Sequence, residues 1–177
     1  MQRQQLKPLL WVLLALSLPV LVTLALIDES GLKVPSAPLG TISFEFCGYT
    51  SSCNLILGEW GVEGQRLQLL SLGLDYLFMV LYTAILCIGL LLVSSRLSPT
   101  LKIVTVIFAG LALLAGVADA GENYFLAQVI LKQSGVPYGE WASNFAVAKF
   151  AIIGLTLSWL IVMSVYSRIQ RTHEVSP

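Results

Sequence analysis

An all-α membrane protein, a bundle of four transmembrane helices with a structured outer loop between helices 1 and 2, is the fold class this sequence predicts. Of its 177 residues 56% are hydrophobic and only 11% charged, and the mean hydropathy is +0.83, outside the range of ordinary soluble domains. Four stretches meet the requirement of roughly 20 apolar helical residues for a hydrocarbon core of about 30 Å. Backbone inside lipid must satisfy its own hydrogen bonds, which makes each stretch a helix. The chain reads as a single membrane domain over residues 1–177. Its formal net charge is zero, with no basic block or acidic tail, so no nucleic-acid partner is expected.

The first span is expected at about residues 8–27, where Pro8 to Ile27 carries no charge. Arg3 and Lys7 ahead of it would also suit a signal peptide. The run is long for a secretory h-region, however, and "LALIDES" offers no small-x-small cleavage site. Pro19 predicts a kink in a helix that stays.

Residues 28–73 form an outer cap too long for a simple connector. "VPSAPLG" is a turn by its prolines and glycine. "TISFEF" alternates as a short strand-like piece. "SSCNLILGEW" places Ser51 or Ser52 as the N-cap of a helix, and from about Val62 a helix runs through Gln68 and Asp75 into the second span. Cys47 and Cys53 flank "GYTSS". An oxidising compartment would join them, while two small buried thiols fit the same spacing. Cys87, inside the second span, reads as packing.

The remaining spans are expected at about 74–93, 101–120 and 143–166. Arg3, Lys7, Arg96, Lys102, Arg168 and Arg171 fall on one side, which the positive-inside rule makes the cytoplasm. Lys33, Arg66 and Lys132 lie opposite, diluted by Asp28, Glu29, Glu45, Glu59 and Glu63. Both termini are therefore expected in the cytoplasm. Tyr124, Tyr138 and Trp141 fit an outer aromatic belt.

Residues three, four and seven apart share a helix face. On the second span this groups Asp75, Met79, Tyr82 and Leu86. On the third it groups Ala112, Ala115, Gly116, Asp119, Glu122 and Asn123, with Ala112, Gly116 and Ala120 spaced for close helix approach. On the fourth it groups Ala142, Phe145, Ala146, Lys149, Ile153 and Thr156. Chain direction brings the polar members to one depth near the outer surface, with Tyr82 about 10 Å below Asp75 at about 1.5 Å per residue. The bland alternative is a headgroup-level rim, with Lys149 snorkelling and Glu122 in water. Against it, a charge at the bilayer centre costs at least about 2.5–3.5 kcal/mol, which favours pairing of Asp119 and Lys149 within the bundle.

Asp75, Tyr82, Asp119, Glu122, Asn123 and Lys149 are the candidate ligand-binding residues. Three carboxyls against one ammonium do not balance, so a dry cluster needs a bound proton, a cation or a positively charged ligand. Carboxylates and an amide suit a hard cation such as Mg²⁺ or Ca²⁺ in principle. No metal is assigned, and zinc is disfavoured because the one histidine, His173, lies in the tail. No cofactor is assigned.

The segments "GTISFEF", "ILGEWGVEG", "LGLDYLFMVLY", "GVADAGENYF" and "AVAKF" resemble an uncharacterised group of bacterial four-span membrane proteins without an assigned activity. The resemblance implies that Glu45, Asp75, Tyr82, Asp119, Glu122, Asn123 and Lys149 are typical positions of that group, and it implies a bacterial inner membrane. The leading expectation is a polar pocket in the outer leaflet that binds a membrane lipid or small amphiphile, with Met79 and Phe145 among its apolar walls. The alternatives are a structural or assembly subunit docking a membrane protein partner through the small-residue stripe, and a lipid-modifying enzyme using carboxylate and lysine acid–base chemistry.

Overall fold

The computed structural model of this protein describes residues 3–175; the side chains of Arg3, Arg171 and His173 lie outside the described residues. Four helices are long and apolar enough to cross a membrane: α1 (Arg3–Ile27), α4 (Cys53–Ser94), α5 (Pro99–Lys132) and α6 (Tyr138–Val175). A π-helical turn (Asp28–Leu32) and two short helices, α2 (Thr41–Glu45) and α3 (Cys47–Thr50), fill the connection between α1 and α4. The chain is a multi-pass membrane bundle. Its outward side chains, such as Trp11, Leu18, Leu113 and Leu155, are apolar and exposed, an arrangement that only a hydrocarbon surround removes from water.

α5 has 34 residues. At about 1.5 Å per residue it measures about 51 Å, some 20 Å more than a hydrocarbon core of about 30 Å. The excess builds a cap. Leu32, Phe44, Ile56, Trp60, Leu126 and Val129 form one buried cluster where the short elements meet the protruding ends of α4 and α5. Phe44 and Trp60 pack with ring centroids 4.8 Å apart, and the Trp60 indole N–H donates to the carbonyl of Leu32 at 2.9 Å. Helices gain no hydrophobic drive toward one another inside lipid, so this water-side core supplies it.

"TISFEF" is helical over Thr41–Glu45, not strand-like. The helix starts under the control of a residue distant in sequence: the Thr41 backbone N–H and hydroxyl both donate to Asp28 Oδ1, at 3.1 and 2.7 Å. Gly40 makes the approach possible, with φ at +59° and no room for a Cβ, which would meet Asp28 Oδ1 at 2.7 Å. Among the described residues no neighbouring strand offers a ladder; the only β pairing is an isolated bridge between Val34 and Ala37.

Ser52 occupies the N-cap position of α4 but makes no capping hydrogen bond with its side chain; its hydroxyl pairs with that of Thr50 at 2.7 Å. Helical geometry breaks at Gly61 (φ 56°) and then continues to Ser94. Cys47 and Cys53 are disulfide-bonded. Beside them the backbones of α3 and α6 touch, since a Cβ on Gly48 would lie 2.2 Å from the carbonyl oxygen of Gly139.

In the bundle α5 lies between α4 and α6, and α1 packs mainly on α4. The small residues of α5 are used inside the chain: Ala112 and Ala115 are fully buried, and a Cβ on Gly116 would come within 2.9 Å of Thr83 Oγ1 on α4. Cys87 packs likewise, its thiol donating to the Ala109 carbonyl at 3.3 Å.

Candidate functional site

The buried face of α5 carries Asp119, Glu122 and Asn123 toward α4 and α6, where they meet the residues expected from helical spacing. Lys149 is the centre. Its Nζ lies 2.7 Å from Glu122 Oε2, 3.2 Å from Asp119 Oδ1 and 3.4 Å from Glu45 Oε1. Lys149 is 5% exposed and Glu122 0%, so neither snorkels to a headgroup rim. The Tyr82 hydroxyl donates to Asp119 Oδ2 at 2.9 Å, and Asn123 Nδ2 donates to Asp75 Oδ2 at 2.7 Å.

Glu45 joins the cluster from the cap. Its position is fixed by the first turns of α6: the Ser143 hydroxyl donates to the Glu45 carbonyl at 2.8 Å and accepts the Gly48 N–H at 3.2 Å. The close passage of Gly48 and Gly139 sets the same register. Phe46 stacks on Phe150, with centroids 6.1 Å apart, and the Phe150 ring face lies 4.6 Å from Lys149 Nζ. Burial raises the Glu45 carboxyl above the usual carboxylate range, with Lys149 opposing the shift. Helical periodicity gave no signal for Glu45, because a short cap helix has no long face to read. The resemblance named it among the typical positions.

The imbalance read from the sequence therefore grows from three carboxyls to four, against the one ammonium of Lys149. Glu45 Oε2 and Glu122 Oε1 are buried and without a hydrogen-bond donor among the described residues. Both glutamates reach the Lys149 ammonium through their other oxygens, and a carboxyl that takes up a proton gains a donor of its own.

A cleft of about 460 Å³ opens onto this cluster. Leu21 and Leu24 of α1, Phe78 and Ile85 of α4, and Phe150 and Ile153 of α6 wall its apolar length. Glu45, Asp75, Tyr82, Asp119, Asn123 and Lys149 form its polar end. Met79 and Phe145 do not line it, contrary to expectation. The cleft opens between α4, α6 and α1, whereas Phe145 turns toward α5, packing on Gly121 and Phe125. Glu122 lies outside the lining as well.

Among the described residues no three of His, Cys, Asp and Glu are grouped so as to hold a metal ion. Lys149 already stands where a cation among these carboxylates would sit. No protein-family model, curated protein or solved structure matches this chain.

Proposed function

We propose that this protein binds a small amphiphile or lipid-like molecule in the lateral cleft, with the apolar tail along α1, α4 and α6 and the headgroup at the Asp75, Asp119, Glu45 and Lys149 end. One observation carries the reading: an apolar cleft of about 460 Å³ ends on a buried charged cluster. That volume falls in the range of small-molecule sites, about 300–1,000 Å³, where a few convergent polar groups orient a largely apolar ligand. Two members of the small-residue stripe of α5, which would support docking to a partner protein, are already buried inside the chain: Ala112, and Gly116 against Thr83 of α4.

The proposed setting is a bacterial inner membrane with both termini in the cytoplasm. The distribution of Lys and Arg supports this orientation, and the Cys47–Cys53 disulfide supports an oxidising compartment on the cap side. The headgroup end then lies in the outer leaflet.

The test compares the full chain, isolated with its surrounding lipid in polymer nanodiscs, with a Leu24→Trp variant that fills the cleft. Mass spectrometry should find an amphiphile enriched over bulk membrane in the wild type and lost in the variant. Identical lipid profiles for the two would refute the reading.

A further inference from the structure

Hydrogen-bond donors and acceptors at the polar end of the cleft are unequally available. Lys149 has three N–H donors, and three carboxylates surround it. The Tyr82 proton goes to Asp119, an Asn123 amide proton goes to Asp75, and Asp28 is engaged by Thr41. What remains is acceptor capacity. Glu45, nine-tenths buried and lining the cleft, has Oε2 without a donor, and among the described residues Asp75 Oδ1 has no hydrogen-bonding side chain. A phosphate or sulfate headgroup would need donors that are already committed. An ammonium brings donors and positive charge to a site short of both.

From this inventory we infer that the ligand is a cationic amphiphile, with an amine headgroup that donates to Glu45 and Asp75 while its tail lies along the apolar walls. The inference rests on the amphiphile reading above and specifies its headgroup. Its charge arithmetic links ligand to protons. A headgroup cation and a proton are alternative partners for the same carboxylates, so ligand entry releases a proton held at Glu45. The groups acting on that carboxylate are Asp119 and Glu122 from α5 and Lys149 from α6, with Asp75 and Tyr82 of α4 and Asp28 at the cap edge in the same cleft lining. Four of the six are acids, and Lys149 already serves three carboxylates, so neither a second anion nor a neutral polyol offsets the deficit.

The experiment uses the full chain in phosphatidylcholine nanodiscs and three probes with the same C12 tail: dodecylammonium, dodecyl maltoside and dodecyl sulfate, each below its micellar concentration. Calorimetric binding to wild type, corrected by the Leu24→Trp variant, removes bulk partitioning. Dodecylammonium should bind at least about tenfold more tightly than the maltoside at pH 7.5, as one charge-assisted hydrogen bond supplies. It should bind more weakly at pH 5. The double variant Glu45→Gln, Asp75→Asn keeps side-chain shape and the Asn123 contact and should lose the tenfold advantage of dodecylammonium over the maltoside. Equal affinity for all three probes, or tightest binding of the sulfate, would overturn the cationic headgroup and leave the cleft reading standing. No difference between wild type and Leu24→Trp for any probe would overturn both.

Discussion

Replacing Lys149 with Met tests the site at its centre. The substitution keeps a linear side chain of similar length but removes the ammonium that Glu122, Asp119 and Glu45 surround at 2.7, 3.2 and 3.4 Å. The side chains of Glu122 and Asp119 are 0% and 2% exposed, so water cannot take over the role of the lost charge. Two estimates give the cost. Removing one partner of a buried ion pair destabilises by about 3–5 kcal/mol. Alternatively, one carboxyl takes up a proton, at about 1.4 kcal/mol per pH unit above its pKa. For a glutamate with a pKa near 4.3 in the unfolded chain, that is about 4 kcal/mol at pH 7 and about 1 kcal/mol at pH 5. The second route makes the deficit dependent on pH. Thermal unfolding of Lys149→Met, followed by far-UV circular dichroism in one detergent, should show a large loss at pH 7 and recovery of most of it at pH 5. Adding Glu122→Gln should restore part of the loss at pH 7. A wild-type melting curve at pH 7, or an equal deficit at both pH values, would refute the buried ion-pair cluster.

Tyr82→Phe removes the donor to Asp119 Oδ2 and should cost about 2 kcal/mol, the range for a hydrogen bond to a charged group; an unchanged denaturation midpoint would show that the contact contributes nothing. Gly48→Ala puts a methyl 2.2 Å from the Gly139 carbonyl oxygen and should push α3 away from α6, seen as faster hydrogen exchange over residues 41–50 with the spanning helices unaffected. The raised Glu45 pKa has a definite sign: its contribution to stability is fully present below the ordinary carboxylate pKa and is lost as pH rises through the raised folded value. Melting temperature measured from about pH 4 to pH 8 should therefore fall less steeply with pH in Glu45→Gln than in wild type, and superimposable profiles would exclude Glu45 as the titrating group.

Most of the polar cluster was legible in the sequence because helices impose a period. Asp119, Glu122 and Asn123 share a face of α5, Asp75 and Tyr82 share one of α4, and Lys149 is the one charge in its stretch of α6. Counting spans then placed them at one end of the bundle, where the structure brings them together. Glu45 escaped that logic. It sits at the end of a five-residue helix whose start is held by Asp28, thirteen positions earlier, and whose end is held by Ser143, ninety-eight positions later. No local pattern encodes either tie. The strand-like reading of "TISFEF" failed for a related reason: alternation over six residues fits a strand or one helical turn with a buried Phe44, and tertiary capping decided between them.

The cleft walls were legible least of all, because apolar positions on a lipid-surrounded helix look alike whether they face lipid or a ligand. α1 shows the difficulty most clearly. Its hydroxyls bond within their own helix, Ser17 to Leu14 and Thr23 to Pro19, so they anchor it to no neighbour. It packs mainly on α4, and only 6% of its spanning window is buried within the protein. By contrast α4, α5 and α6 are tied through Asp75, Asn123, Tyr82, Asp119 and Lys149. Packing without polar ties or a hydrophobic drive is the weakest form of helix association in lipid. Of the three walls of the cleft, α1 is therefore the one held least, and it is fastened at its cap end, where Asp28 grips Thr41. The lateral side of the cleft is thus bounded by the helix that costs least to displace, while its polar end is bounded by the part of the protein that costs most to disturb.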